Sequence, residues 1–83
     1  PEESVERELA LIKVNAGSQS RSEVLQIVNI FRAKIIDVSG RAVVVEITGE
    51  ANKVEALIAL LKPFGIREIV RTGQIAILRS NRR

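Results

Sequence analysis

Cysteine, histidine, methionine, tryptophan and tyrosine do not occur in this sequence, and its aromatic residues are two phenylalanines. Each absence closes off a kind of chemistry. Without cysteine there is neither a disulfide nor a zinc–thiolate site. Without histidine a Ser–His triad is impossible, and the commonest general acid–base group is missing. A metal site would have to be built from oxygen ligands alone, and no carboxylates fall at such spacing. No apolar run approaches the roughly 18–20 residues needed to cross a bilayer, so no membrane association is expected. The first residues, "PEESVERE", are acidic and polar and do not resemble a signal peptide. There is no initiating Met, and the chain is expected to be a piece excised from a longer protein.

What is present is enough for one small domain. A chain of 83 residues hides roughly 60–65% of its unfolded surface, a slim margin that association would widen. The net charge is a mild +3. It is unevenly distributed: Glu2, Glu3, Glu6 and Glu8 crowd the start, and Arg79, Arg82 and Arg83 the end. The plain reading is a pair of solvated tails.

Apolar periodicity divides the chain into six elements. "ELALIKVNA" (8–16) is apolar on both parities and reads as a central strand, with Lys13 marking the Leu9/Leu11 side as the wetter. A small polar loop containing Gly17 follows. Ser20 and Glu23 have capping-box spacing, and Val24, Ile27, Val28 and Phe31 recur at i, i+3, i+4 and i+7, so a helix is predicted from about Arg21 to Arg32. "KIIDV" (34–38) and "AVVVEITG" (42–49) are strands joined by a tight turn at Ser39–Gly40–Arg41. Asn52 and Glu55 are spaced as a second cap. Val54, Leu57, Ile58 and Leu61 repeat the helical stripe, which Pro63 and Gly65 end. The last strand is "IREIVRTGQIAIL" (66–78), interrupted at Gly73.

The order β-α-β-β-α-β with right-handed crossovers predicts an α+β fold: a ferredoxin-like two-layer sandwich, with an antiparallel sheet of strand order 4-1-3-2 and both helices on one face. Ala10, Ile12, Val14, Ile36, Val38, Val43, Val45 and Ile47 are expected to meet the helices. The opposite face would carry Leu9, Leu11, Lys13, Ile35, Asp37, Val44, Glu46 and Thr48. A surface half apolar and half charged is typical of a protein interface. Arg32 and Lys34, near a helix end and a strand start, fit a structural role.

Other functions find less support. The Gly17–Ser18 loop precedes a helix N-terminus, where backbone N–H groups can hold an anion or carboxylate. It lacks the glycine fingerprints of nucleotide binding. A small amphoteric ligand such as an amino acid is the alternative use of this loop. RNA-binding modules of the same topology stack bases on sheet aromatics; here Phe31 and Phe64 both sit on helix patterns, so nucleic-acid binding is not expected.

The strings "ERELALIKV" (6–14), "FRAKIIDVSG" (31–40), "VVEITG" (44–49) and "FGIREIVRTGQIAILR" (64–79) resemble the C-terminal domain of the small regulatory subunit of acetolactate synthase, also called acetohydroxyacid synthase. The resemblance runs over nearly the whole chain and covers a single ferredoxin-like, ACT-related domain, residues 1–83. It implies a non-catalytic partner of a large, thiamine-diphosphate-dependent catalytic subunit, with no cofactor of its own. It further implies activation of that subunit, feedback inhibition by branched-chain amino acids, chiefly valine, and homodimers. The expected location is bacterial cytoplasm or plastid stroma. In the family an N-terminal ACT domain precedes a domain like this one and holds the valine sites at ACT–ACT interfaces. That domain is absent from this sequence, so the valine contacts are not carried over to Gly17 and Ser18. The residues expected to make contacts are therefore Leu9, Leu11, Ile35 and Val44, burying apolar area against a partner, with Lys13, Asp37 and Glu46 setting register.

Overall fold

The computed structural model describes residues 4–79. The chain runs β1 (Ser4–Asn15), α1 (Arg21–Ile30), β2 (Lys34–Ser39), β3 (Ala42–Gly49), α2 (Ala51–Leu61), one 3-10 turn (Lys62–Phe64), β4 (Ile66–Arg71) and β5 (Ile75–Leu78). The strands are ordered β2-β3-β1-β4, all antiparallel, and β5 pairs with the first residues of β1. This is the expected ferredoxin-like α+β sandwich with the expected 4-1-3-2 order.

Strict alternation along β1 builds the core. Ala10, Ile12 and Val14 are fully buried, while Leu9, Leu11 and Lys13 between them are only half-buried. On β3, Val43, Val45 and Ile47 are buried on the core side. Val24 and Val28 of α1 and Val54, Leu57, Ile58 and Leu61 of α2 close over these side chains. Each fully buried aliphatic side chain contributes roughly 1.5–3 kcal/mol by leaving water. Phe31 and Phe64 pack at the rim of this core, away from the open sheet face.

Four expectations are corrected. The first concerns β2. Ile35 lies opposite Val45, but Asp37 lies opposite Val44, so Ile36 is an extra residue bulged out of the ladder. Ile35 therefore turns to the core and packs against it, not onto the open face. Ile36 and Val38, expected inside, are 50% and 55% exposed at the sheet edge.

The second concerns helix ends. Ser20 stands at the N-cap of α1, but its side chain makes no cap bond. The first turn instead forms around the Gly17 carbonyl, which accepts from the Ser20 and Arg21 N–H groups at 3.2 and 2.9 Å. The N-cap of α2 is Glu50, not Asn52: its carbonyl accepts from Lys53 and Val54. A Cβ placed at Gly49, the last residue of the strand, would lie 2.7 Å from the flexible Lys53 side chain, which would have to swing aside.

The third is where α1 stops. Ala33 N–H donates to the Val28 carbonyl and Arg32 N–H to that of Asn29, which is the Schellman closure. Arg32 takes the left-handed position, with φ 54°, and so lies outside the helix.

The fourth is Glu8, read as part of a solvated tail. It lies on the core side of β1 and is 3% exposed. Glu2, Glu3, Arg82 and Arg83 lie outside the described residues.

Candidate functional site

The helices leave one sheet face open. Cross-strand register places Leu11 between Glu46 of β3 and Val70 of β4, and Lys13 between Val44 and Glu68. Leu9 lies opposite Thr48, Lys34 opposite Glu46, and Asp37 opposite Val44. Directly opposed residues share a face. Of the seven contact residues expected from sequence, Leu9, Leu11, Lys13, Asp37, Val44 and Glu46 therefore come together here, and Ile35 does not.

Two members were missed, Glu68 and Val70. The signal was obscured by a register shift between Lys13 and Val14 against β4. Ile66 faces the core opposite Val14, yet Glu68, two residues on, lies opposite Lys13 on the open side. Simple alternation along "IREIVR" cannot give both.

At the centre of this face, Leu11, Lys13, Val44, Glu68 and Val70 line a shallow depression of about 130 Å³. Pockets that enclose small molecules are larger, about 300–1,000 Å³, and bury most of the ligand. A depression of this size has room for about one side chain. Val70 is 54% exposed, so apolar area remains to be covered. Lys13 Nζ and Glu68 Oε1 are 3.9 Å apart, with the Lys13 side chain half-buried and that of Glu68 largely exposed. A pair of this kind adds little stability.

The Gly17–Ser18 loop is a separate place. Gly17, Ser18, Gln19, Ser20 and Arg41 surround a polar hollow of about 270 Å³. Its N–H donors at Ser20 and Arg21 are already bound to the Gly17 carbonyl. The Arg21 guanidinium donates to the carbonyls of Ala16, at 3.0 and 3.2 Å, and of Gly40, at 3.3 Å. The loop thus satisfies itself in large part.

The buried polar feature lies at the far end of β1. Arg71 Nη2 and Nε donate to the two oxygens of Glu8 at 2.5 and 3.2 Å, and Nη1 donates to Glu55 of α2 at 2.6 Å. Those hydrogen bonds from Arg71 hold the Glu8 carboxyl below the usual carboxylate range, against the opposing effect of desolvation. The Arg71 charge and the Gly73 N–H lower it further. Glu8 and Glu55 together raise Arg71 above its ordinary value. A fork-on-carboxylate pair of this geometry is structural, tying β1, β4 and α2 together. Among the described residues no three carboxylates cluster to hold a metal ion, and no helix is long and apolar enough to cross a membrane.

Comparison with known proteins gives a consistent result. A family profile described as the small subunit of acetolactate synthase matches residues 7–80. The probable acetolactate synthase small subunit of Archaeoglobus fulgidus is 48% identical, the match covering 99% of this chain and 52% of that protein. The acetolactate synthase small subunit of Bacillus subtilis is 56% identical over 90% of this chain and 44% of its own length. The crystal structure of the Thermotoga maritima acetolactate synthase small subunit superposes with a TM-score of 0.89 at 52% identity, covering 98% of this chain and 50% of that one. The chain thus spans about half the length of the relatives it matches.

Proposed function

Because the chain belongs to the acetolactate synthase small-subunit family, we propose that it is a regulatory, protein-binding domain of such a subunit and not a catalyst. Its role is to join small subunits to one another and to the large catalytic subunit. It thereby supports activation and feedback inhibition by a branched-chain amino acid, valine foremost. The effector itself binds mainly in the other half of the subunit, an ACT domain preceding this one.

One observation carries this reading: the open sheet face. Leu9, Leu11 and Val44 are half-buried and Val70 exposed around a shallow apolar depression of about 130 Å³ at the centre of the face. Lys13, Lys34, Asp37, Glu46 and Glu68 surround these apolar groups with both signs of charge. Mixed charge around an apolar centre suits a second copy of the same surface, which brings the same mixture.

The test is Leu11→Asp. A buried charge at the centre of the interface should weaken self-association or large-subunit binding by at least about ten-fold. The monomer should stay folded, because Leu11 lies on the open face. Sedimentation showing unchanged assembly would refute the reading.

The alternative is a freestanding amino-acid sensor using the Gly17–Ser18 loop. The hollow beside Arg41 is the feature in its favour. Calorimetry with valine, leucine and isoleucine decides it: binding to this chain alone would support the sensor.

A further inference from the structure

Residues 4–7 of β1, together with β5, stand clear of the two-layer body. β3 reaches along β1 only to Glu8, which lies opposite Gly49, and β4 only to Ala10, opposite Arg71. Beyond that point the sheet is two strands wide, held by the pairs Ser4–Leu78, Val5–Ile77, Glu6–Ala76 and Arg7–Ile75. The described chain measures 55 × 20 × 18 Å with a radius of gyration of 14.7 Å, where a compact domain of this length has about 12 Å. A lone two-stranded ribbon is at best marginally stable in water. This one exposes Ile75, Ile77 and Leu78 by 69%, 71% and 68%. Val5, Ile75 and Ile77 share one side of it through their pairing.

The root of this arm is braced. Glu8 is clamped by Arg71, which also holds Glu55 of α2. Leu9 N–H donates to Thr72 Oγ1 at 3.1 Å, and Thr72 N–H donates back to the Leu9 carbonyl at 3.0 Å. Gly73, at φ 79°, makes the turn that lets β5 resume pairing. The arm is therefore presented at a set angle, with its apolar stripe uncovered.

Both ends of the described chain leave from the tip of this arm, since Ser4 lies opposite Leu78. The relatives align to 98–99% of this chain yet are about twice as long. The rest of their length therefore joins within a few residues of one or both of these ends, and both ends lie at the tip. A body tethered there acts at an effective concentration in the millimolar range, which an untethered partner does not reach.

We propose that the β1–β5 arm is the seat of the remaining half of the small subunit. Val5, Ile75 and Ile77 bury against an apolar patch of that half, and the Arg71 clamp sets its orientation. The proposal rests on the reading that this domain works within a two-part subunit, but not on the role given to the open face.

Amide hydrogen exchange tests it, comparing a full-length small subunit that contains this segment with the 83-residue chain. Residues 4–7 and 75–78 should exchange at least about ten-fold more slowly in the longer protein at every protein concentration. The body strands, which report folding, should exchange alike in both. In the full-length protein, Ile75→Ser with Ile77→Ser should return the arm to the fast rates of the short chain and speed proteolysis between the halves. Equal arm exchange in both proteins overturns the proposal. So does slowing in the short chain that grows with concentration, which would make the occupant a second copy, or slowing that appears only when the catalytic subunit is added. The Leu11→Asp sedimentation reads the other surface, so either idea can fail alone.

Discussion

Glu8 shows how far a single residue's role depends on a distant partner. In the primary structure it is one of four glutamates near an acidic end. In the fold it is 3% exposed and bound by Arg71, 63 residues away. Because its pKa is lowered in the folded state, its stabilising contribution is fully present above the ordinary value of 4.5 and is lost as pH falls through the folded value. Glu8→Gln should therefore lower the melting temperature at neutral pH and flatten the fall in stability below about pH 4.5, as thermal melts across pH 2–7 would show. Glu55→Ala, removing an exposed partner of the same arginine, should cost only about 0.2–1 kcal/mol. In the core, Ile12 is fully buried while Ile36 on the bulge is half-exposed. Ile12→Ala should cost about 2–5 kcal/mol, a large share of a small domain's stability of about 5–15 kcal/mol. Ile36→Ala should stay within about 0.5 kcal/mol. Urea titrations separate the two.

Among the elements, the helices and strands were legible wherever the apolar pattern was local. The stripe Val54, Leu57, Ile58 and Leu61 is the buried face of α2 without exception, and the β3 alternation holds from Val43 to Gly49. Ends were harder to read. A capping-box spacing is met at Ser20 without the side-chain bond, because the Gly17 carbonyl already organises the first turn. The glycines at turns give a direct test of backbone demands. Gly40 and Gly65 both have positive φ, but a Cβ at Gly40 meets open space, whereas one at Gly65 collides with the Asn15 side-chain amide. Gly40→Ala should cost about 1–2 kcal/mol for the left-handed backbone alone. Gly65→Ala should cost more, since Gly65 also accepts the Asn15 N–H through its carbonyl at 2.9 Å and cannot back away without losing that bond. Paired denaturation curves would check the order, and equal costs would contradict it.

For the molecule as a whole, the open face and the arm are two surfaces with different characters. The face surrounds Leu9, Leu11, Val44 and Val70 with charges of both signs, so its association should be driven by apolar burial and survive high salt. Raising the salt to about 1 M shrinks the screening length to about 3 Å; sedimentation should show the oligomer retained or strengthened there. Loss of assembly at high salt would point to charge attraction instead.

Element order, the helical stripes, the 4-1-3-2 sheet and the open-face placement of six of the seven candidate residues followed from periodicity and chain connectivity, because both act between residues close in sequence or through short connections. The position of Ile35 did not, nor did those of Glu68 and Val70. One bulged residue in β2 and one register shift against β4 reverse the parity downstream, and such slips depend on how neighbouring strands fit in space. The Glu8–Arg71 clamp and the projecting arm were likewise invisible. The clamp joins residues 63 apart that only the β1–β4 pairing brings together, and the arm exists because β1, 12 residues long, outruns β3, which has only 8.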